Sequence, residues 1–181
     1  MDLKEKFRHI PNFPKEGIDF IDITTVLNDK DAFAQAIDSL SSEAEKFGCD
    51  VIVGTEARGF ILGAAVAYKL GVRFVPVRKK GKLPYKTIVG TYELEYGTDS
   101  LEMHVDAINK GDKVVLIDDL LATGGTAACV ADMVRELGGD LESAIFLVEL
   151  LELPGEKALS EKGITVKSVV KIWFKGESLW I

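Results

Sequence analysis

Short, apolar, β-branched runs separated by stretches of helical periodicity constrain this chain more than any other feature. The runs are Val51–Val53, Phe74–Val77, Val114–Ile117, Ala144–Leu150 and Val166–Trp173. Between the runs, Asp31–Phe47 sets Phe33, Ile37, Leu40, Ala44 and Phe47 at three- and four-residue steps, one face of a helix. Gly59–Leu70, Thr123–Leu137 and Leu153–Glu161 are further predicted helices, and Gly48, Gly71 and Gly138 stand where helices would stop. Strands without polar alternation are buried on both faces. Their alternation with helices predicts an α/β fold, a mainly parallel twisted sheet flanked by helices.

Two regions depart from that rhythm. Phe13–Leu27 mixes aromatic and acidic residues without a clear period, and Gly81–Asp106 is rich in Lys, Gly, Tyr and Glu. Segments of that length are commonly functional loops or hairpins of a small flap. No repeat, low-complexity tract or linker is evident, so 181 residues read as a single domain, 1–181. Residues 1–30 then include an N-terminal hood, and 81–106 a flexible loop or hairpin.

Charge and composition narrow the function. With 22 Lys and Arg against 29 Asp and Glu, the net charge is −7, a poor match for a nucleic-acid backbone unless a local basic patch exists. The 2 cysteines, Cys49 and Cys129, are far apart, and with His9 and His104 they offer almost no zinc or iron–sulfur ligand set. Met1–Ile10 is charged, unlike a signal peptide, and no apolar run reaches the ~18 residues of a membrane span. A soluble, reduced, cytoplasmic protein with no membrane association is expected.

The most informative segment is Lys113–Thr126. An apolar strand runs into Asp118 and Asp119, then Ala122-Thr123-Gly124-Gly125-Thr126, then a helix beginning near Thr126. The carboxyl end of a parallel strand is where open α/β sheets bind ligands. Two glycines permit close backbone approach, the helix N-terminus favours an anion, and two threonines add hydroxyl donors, which together suit a phosphate monoester. The carboxylates upstream suit sugar hydroxyls or a Mg²⁺ shell instead. A tight turn with capping threonines and solvated acids is the plain alternative. Neither G-x-x-x-x-G-K-[ST] nor G-x-G-x-x-G occurs.

Hydrophobic strand, Asp-Asp, two apolar residues and Ala-Thr-Gly-Gly-Thr resemble the type I phosphoribosyltransferases, and among them the adenine-using members. The resemblance extends from Phe13-Pro14 to Leu147–Leu150. It implies that Ala122, Thr123, Gly124, Gly125 and Thr126 hold a 5′-phosphate while Asp118 and Asp119 meet ribose hydroxyls. It further implies a Mg²⁺-dependent, purine-salvage transfer of 5-phosphoribose from 5-phosphoribosyl 1-pyrophosphate to adenine, giving AMP and pyrophosphate, by a homodimer. Magnesium would be held mainly by substrate oxygens, with no direct protein ligand assigned.

Other segments acquire roles beside that loop. Val53–Phe60 is a second strand-to-helix turn, where Arg58 either meets an anion at unpaired amides or merely caps the helix beside Glu56. The family likeness makes Glu56, Ala57 and Arg58 a pyrophosphate loop. Arg78, Lys79, Lys80 and Lys82 concentrate cations in an acidic chain, as a solvated run, a nucleic-acid patch or a diphosphate site. The resemblance supports Arg78, Lys79 and Lys82 as diphosphate ligands, with Lys80 serving a neighbouring subunit.

Transfer to a purine nitrogen needs a proton acceptor, and a closing loop would exclude water. Hypoxanthine/guanine relatives carry an acid directly before Thr-Gly, where this chain has Ala122. The likeness of Leu94-Glu95-Tyr96-Gly97 assigns Glu95 to that role with Tyr96 beside it, Glu102 being a second candidate and a solvated hairpin acid the plain alternative. For the base, the resemblance places Phe20 as a stacking ring and the backbone of Asp19 and Ile21 as edge readers. Relatives often have Arg at Ile21, and Phe20 could instead be a core residue. Transfer to another purine or to orotate is the nearby alternative. A donor-sensing, nucleic-acid-binding regulator is the distant one.

Overall fold

Residues Val51–Thr55 (β3) are buried along their whole length, and alternate side chains enter different cores: Ile52 one, Val51 and Val53 the other. Lys113–Leu121 (β7) pairs with it in parallel and repeats the alternation, Val115 and Ile117 facing one way, Val114 and Leu116 the other. Two-sided burial explains why these strands lack polar alternation. Each such Leu, Ile or Val is worth about 1.5–3 kcal/mol of burial, so the centre of the sheet is its most stable part.

The computed structural model describes residues 1–93 and 98–173. Around β3 and β7 stand β4 (Arg73–Lys79), β8 (Asp140–Leu150) and β9 (Thr165–Ile172), all parallel, with α3 (Arg58–Leu70), α4 (Gly125–Glu136) and α5 (Gly155–Ser160) as connections. A hairpin, β5 (Thr87–Glu93) and β6 (Thr98–His104), joins the edge antiparallel through Arg78↔Glu102 and Lys79↔Leu101. The resulting order is β5-β6-β4-β3-β7-β8-β9 in a 7-stranded sheet. From β3 the chain proceeds to β4 on one side, and from β7 to β8 on the other. The direction of winding therefore reverses between β3 and β7, which places a crevice at their carboxyl ends.

Of the two forms expected for the N-terminal segment, loop or hairpin of a small flap, it takes the second: an antiparallel hairpin, β1 (Arg8–Pro11) with β2 (Asp19–Asp22), followed by α1 (Thr24–Leu27). Four-residue strands with charged members carry too little period-2 signal to read in advance. Next, α2 (Lys30–Glu45) starts at Asp29, whose carboxylate accepts the N–H groups of Asp31 and Ala32 at 3.0 and 3.1 Å and Lys6 Nζ at 2.6 Å. Those bonds, the one from Lys6 first, hold the Asp29 carboxyl down to about 2. Helices α2 and α3 cover one face of the sheet, α4 the other. The predicted helix Leu153–Glu161 is only α5, because Pro154 occupies its cap and begins it two residues late.

Candidate active site

Loops at the carboxyl ends of β3 and β7 enclose a cavity of about 440 Å³. Its lining includes Glu56, Ala57, Arg58, Lys79, Asp118, Asp119 and the whole of Ala122–Thr126. Two segments 60 residues apart in sequence thus meet because β3 and β7 are neighbours.

The β7 loop turns through Gly124, whose φ of +83° is open to glycine and strained for other residues. Helix α4 begins at Gly125, so the first unpaired amides of a 12-residue helix face the cavity. Upstream, Asp118 and Asp119 are 9 % and 8 % exposed. The Thr55 hydroxyl, from the end of β3, donates to Asp118 Oδ2, and the Asp119 N–H donates to Oδ1 at 2.9 Å. Burial, then the charge of Asp119, pushes the Asp118 carboxyl well above its ordinary range, against the pull of those two bonds.

Helix α3 approaches the same acid closely. A Cβ at Gly59 would stand 2.6 Å from Asp118 Oδ1 and 3.0 Å from Thr55 Oγ1, so only glycine admits this packing. Arg58 Nε bonds Asp119 Oδ2 at 2.6 Å, while its guanidinium lies 5.3 Å over the Phe20 ring. Phe13 meets Phe20 edge-on at 5.3 Å. Arg58 therefore touches the hood, the acid pair and the β3 loop together. Asp19, Phe20 and Ile21 stand outside the cavity lining, Phe20 half-buried and Ile21 committed by its side chain to the core.

The basic run divides. Glu56 Oε2 accepts from Arg78 Nε and from the Lys79 N–H, each at 3.1 Å. Burial would raise the Glu56 carboxyl, but the bonds to Arg78 and Lys79 outweigh it and hold it below the ordinary range. Arg78 is thereby held on the lining residue Glu56 without itself entering the lining, Lys82 also lies outside it, and Lys79 alone of the run reaches it. The second acid, Glu102, is 4 % exposed, and its Oε1 accepts the N–H groups of Lys82 and Leu83 at 2.8 and 2.6 Å. It braces the basic turn and has no place in the cavity. Glu95 and Tyr96 lie outside the described residues.

Thr55, Tyr92, Phe146 and Leu153 also line the cavity without having been singled out by sequence. Thr55 ends a recognised strand, the one signal that could have found it. Tyr92 reaches the site only through hairpin pairing, and its side chain sits against Gly125.

A crevice with two anion-receptive turns, an acid pair between them and an aromatic hood matches a known family. Residues 24–178 match the phosphoribosyl transferase domain. The chain belongs to the phosphoribosyltransferase family. Among its relatives, the adenine phosphoribosyltransferase of Acetivibrio thermocellus is 59% identical over 94% of this chain and 99% of its own. The crystal structure of the adenine phosphoribosyltransferase from Thermoanaerobacter pseudethanolicus superposes with a TM-score of 0.91 at 53% identity, covering 94% of this chain and 98% of that one. The Saccharomyces cerevisiae enzyme, complexed with an imino-altritol bisphosphate and adenine, gives 0.87 at 40% identity over 93% and 96%. This phosphoribosyltransferase shares with them the mainly parallel sheet flanked by helices that sequence periodicity predicts.

Proposed function

We propose that this phosphoribosyltransferase transfers the 5-phosphoribosyl group of 5-phosphoribosyl 1-pyrophosphate to adenine, releasing AMP and pyrophosphate in purine salvage. The observation that carries the reading is the apposition of the Glu56–Arg58 and Ala122–Thr126 turns across one cavity, two anion sites with Asp118 and Asp119 between them. The donor has that pattern of chemistry: a monophosphate, a ribose and a diphosphate. The adenine phosphoribosyltransferases that match almost end to end support adenine as the acceptor.

In this reading the backbone amides and hydroxyls of Ala122–Thr126 hold the 5′-phosphate, and the two aspartates accept from the ribose hydroxyls. Glu56, Ala57, Arg58, Arg78, Lys79 and Lys82 form the pyrophosphate region, with Lys79 and Arg58 in the cavity and Glu56 fixing the strand that carries Lys79. Adenine stacks on Phe20 and is read by the backbone of Asp19 and Ile21, whose side chain is spent on the core. The bond from the anomeric carbon to the pyrophosphate oxygen breaks as that carbon bonds purine N9. Arg58 and Lys79 stabilise the charge on the leaving group, and Glu95, beside Tyr96, takes the N9 proton.

Among the described residues no group of three or more His, Cys, Asp or Glu is placed to hold a metal ion. Asp118 and Asp119 are engaged by Thr55 and Arg58, which fits a Mg²⁺ carried mainly by substrate oxygens. Mg²⁺ held there would supply charge neutralisation at the pyrophosphate oxygens. A homodimer fits the exposed apolar Ile61 and Tyr68 on α3. No described helix is long and apolar enough to cross a membrane. The free thiols of Cys49 and Cys129 fit a reducing compartment, and we assign the protein to the cytoplasm. Adenine, hypoxanthine, guanine, xanthine and orotate assayed side by side test the assignment. Adenine should give the highest kcat/KM by at least about 100-fold; a preference for any other base overturns it.

A further inference from the structure

Lys79 ends β4 on the cavity wall, yet its ammonium is already paired, 3.3 Å from Asp99 Oδ2 on β6. Both oxygens of Asp99 are engaged: Oδ1 accepts the Ser100 N–H at 2.8 Å, and Oδ2 also accepts the Tyr92 hydroxyl at 3.4 Å. Tyr92 itself lines the cavity, its ring against Gly125 at the start of α4. A line of polar contacts, Tyr92–Asp99–Lys79, therefore runs from a ring beside the β7 loop to the basic strand end. Asp99 itself is outside the cavity lining. It is an anion fastened within reach of the one cation of the basic run that enters the cavity.

Such an arrangement has a direct consequence for a polyanionic ligand. A diphosphate in the cavity draws on the same ammonium that Asp99 holds. We propose that Asp99 is a positioning residue that competes with the diphosphate for Lys79. It holds the ammonium at the cavity rim in the donor-free enzyme, yields it when the donor binds, and reclaims it as pyrophosphate leaves. Tyr92 keeps the carboxylate in place for the exchange. The inference rests on Lys79 being a diphosphate ligand, as set out above. Lys79 is 60% exposed in its side chain, so the competition is modest, on the order of the 1.5–5-fold that exposed ion pairs contribute.

Calorimetric titration with inorganic pyrophosphate at constant Mg²⁺ tests it on four proteins: the parent, Asp99→Asn, Lys79→Ala and the double variant. Asparagine is isosteric and keeps an oxygen for the Ser100 N–H, so the fold is retained. Asp99→Asn should bind pyrophosphate about 2–5-fold tighter and show product inhibition strengthened by the same factor. Lys79→Ala should bind it about 10-fold weaker. In the double variant the gain from Asp99→Asn should vanish. Unchanged or weaker pyrophosphate binding by Asp99→Asn overturns the proposal. So does an equal gain with and without Lys79, which would mark a general field effect. Lys79→Ala without effect refutes the ligand assignment itself, and the competition with it.

Discussion

Asp118 carries two opposed demands. Its proposed role as acceptor for the ribose hydroxyls requires a carboxylate, whereas its burial against Gly59 and next to Asp119 penalises the charge. Because its folded pKa lies above the ordinary 3.8, ionisation costs stability progressively as pH rises through that interval. An Asp118→Asn protein escapes the cost, its side-chain amide still serving Thr55 and the Asp119 N–H. Its melting temperature at pH 7 should exceed the parent's by about 2–4 °C for each kcal/mol relieved, the advantage closing as pH falls towards 3.8, while kcat/KM falls. A thermal melt series in pH checks this, and a lower Tm at pH 7 would contradict it. The residue itself was legible in sequence, since strand, acid pair and Thr-Gly-Gly-Thr are contiguous. Its partner Thr55 was not, because only the β3–β7 pairing brings together residues so distant along the chain.

Among the elements, one hairpin stands beside the sheet and another extends its edge; sequence offered a hairpin as one alternative for each region but gave neither strand bounds nor docking. The β1–β2 strands are too short for a period, and β5–β6 declares itself only by docking on β4 and on α4, where Gly90 faces Cys129 and Met133. Glu102 was read from sequence as a second candidate base. In the structure it accepts from the turn that carries Lys82. Burial would raise its carboxyl, but amides of Gly81, Leu83 and Lys82 overcome this and lower it. Glu102→Gln should raise KM for the donor about 3–10-fold and leave KM for adenine unchanged. Stability should fall as well, a loss present above pH 4.5 and disappearing as the parent's own carboxylate protonates at lower pH. A kcat collapse with unchanged KM would instead restore Glu102 as the base. In the other hairpin, Phe20→Ala should raise KM for adenine about 3–10-fold with a smaller effect on the donor. Equal effects on both would assign the ring to packing, or to holding Arg58, 5.3 Å away.

For the whole molecule, the alternation of apolar strands and helices made the sheet class legible, but not the strand order. The reversal of winding between β3 and β7 is a tertiary fact, and it places the two turns across one cavity. It also reconciles a net charge of −7 with the proposed polyanionic donor: Arg58, Lys79 and the first amides of α4 converge at one crevice, where Asp119 and Glu56 are already paired with Arg58 and Arg78. The central claim is that this crevice joins one donor to one adenine. Incubating the protein with adenine, 5-phosphoribosyl 1-pyrophosphate and Mg²⁺, and quantifying products, tests it most directly. AMP and pyrophosphate should form in equal amounts, and only when both substrates and Mg²⁺ are present. Donor consumption to ribose 5-phosphate without AMP, or no turnover at all, would contradict it.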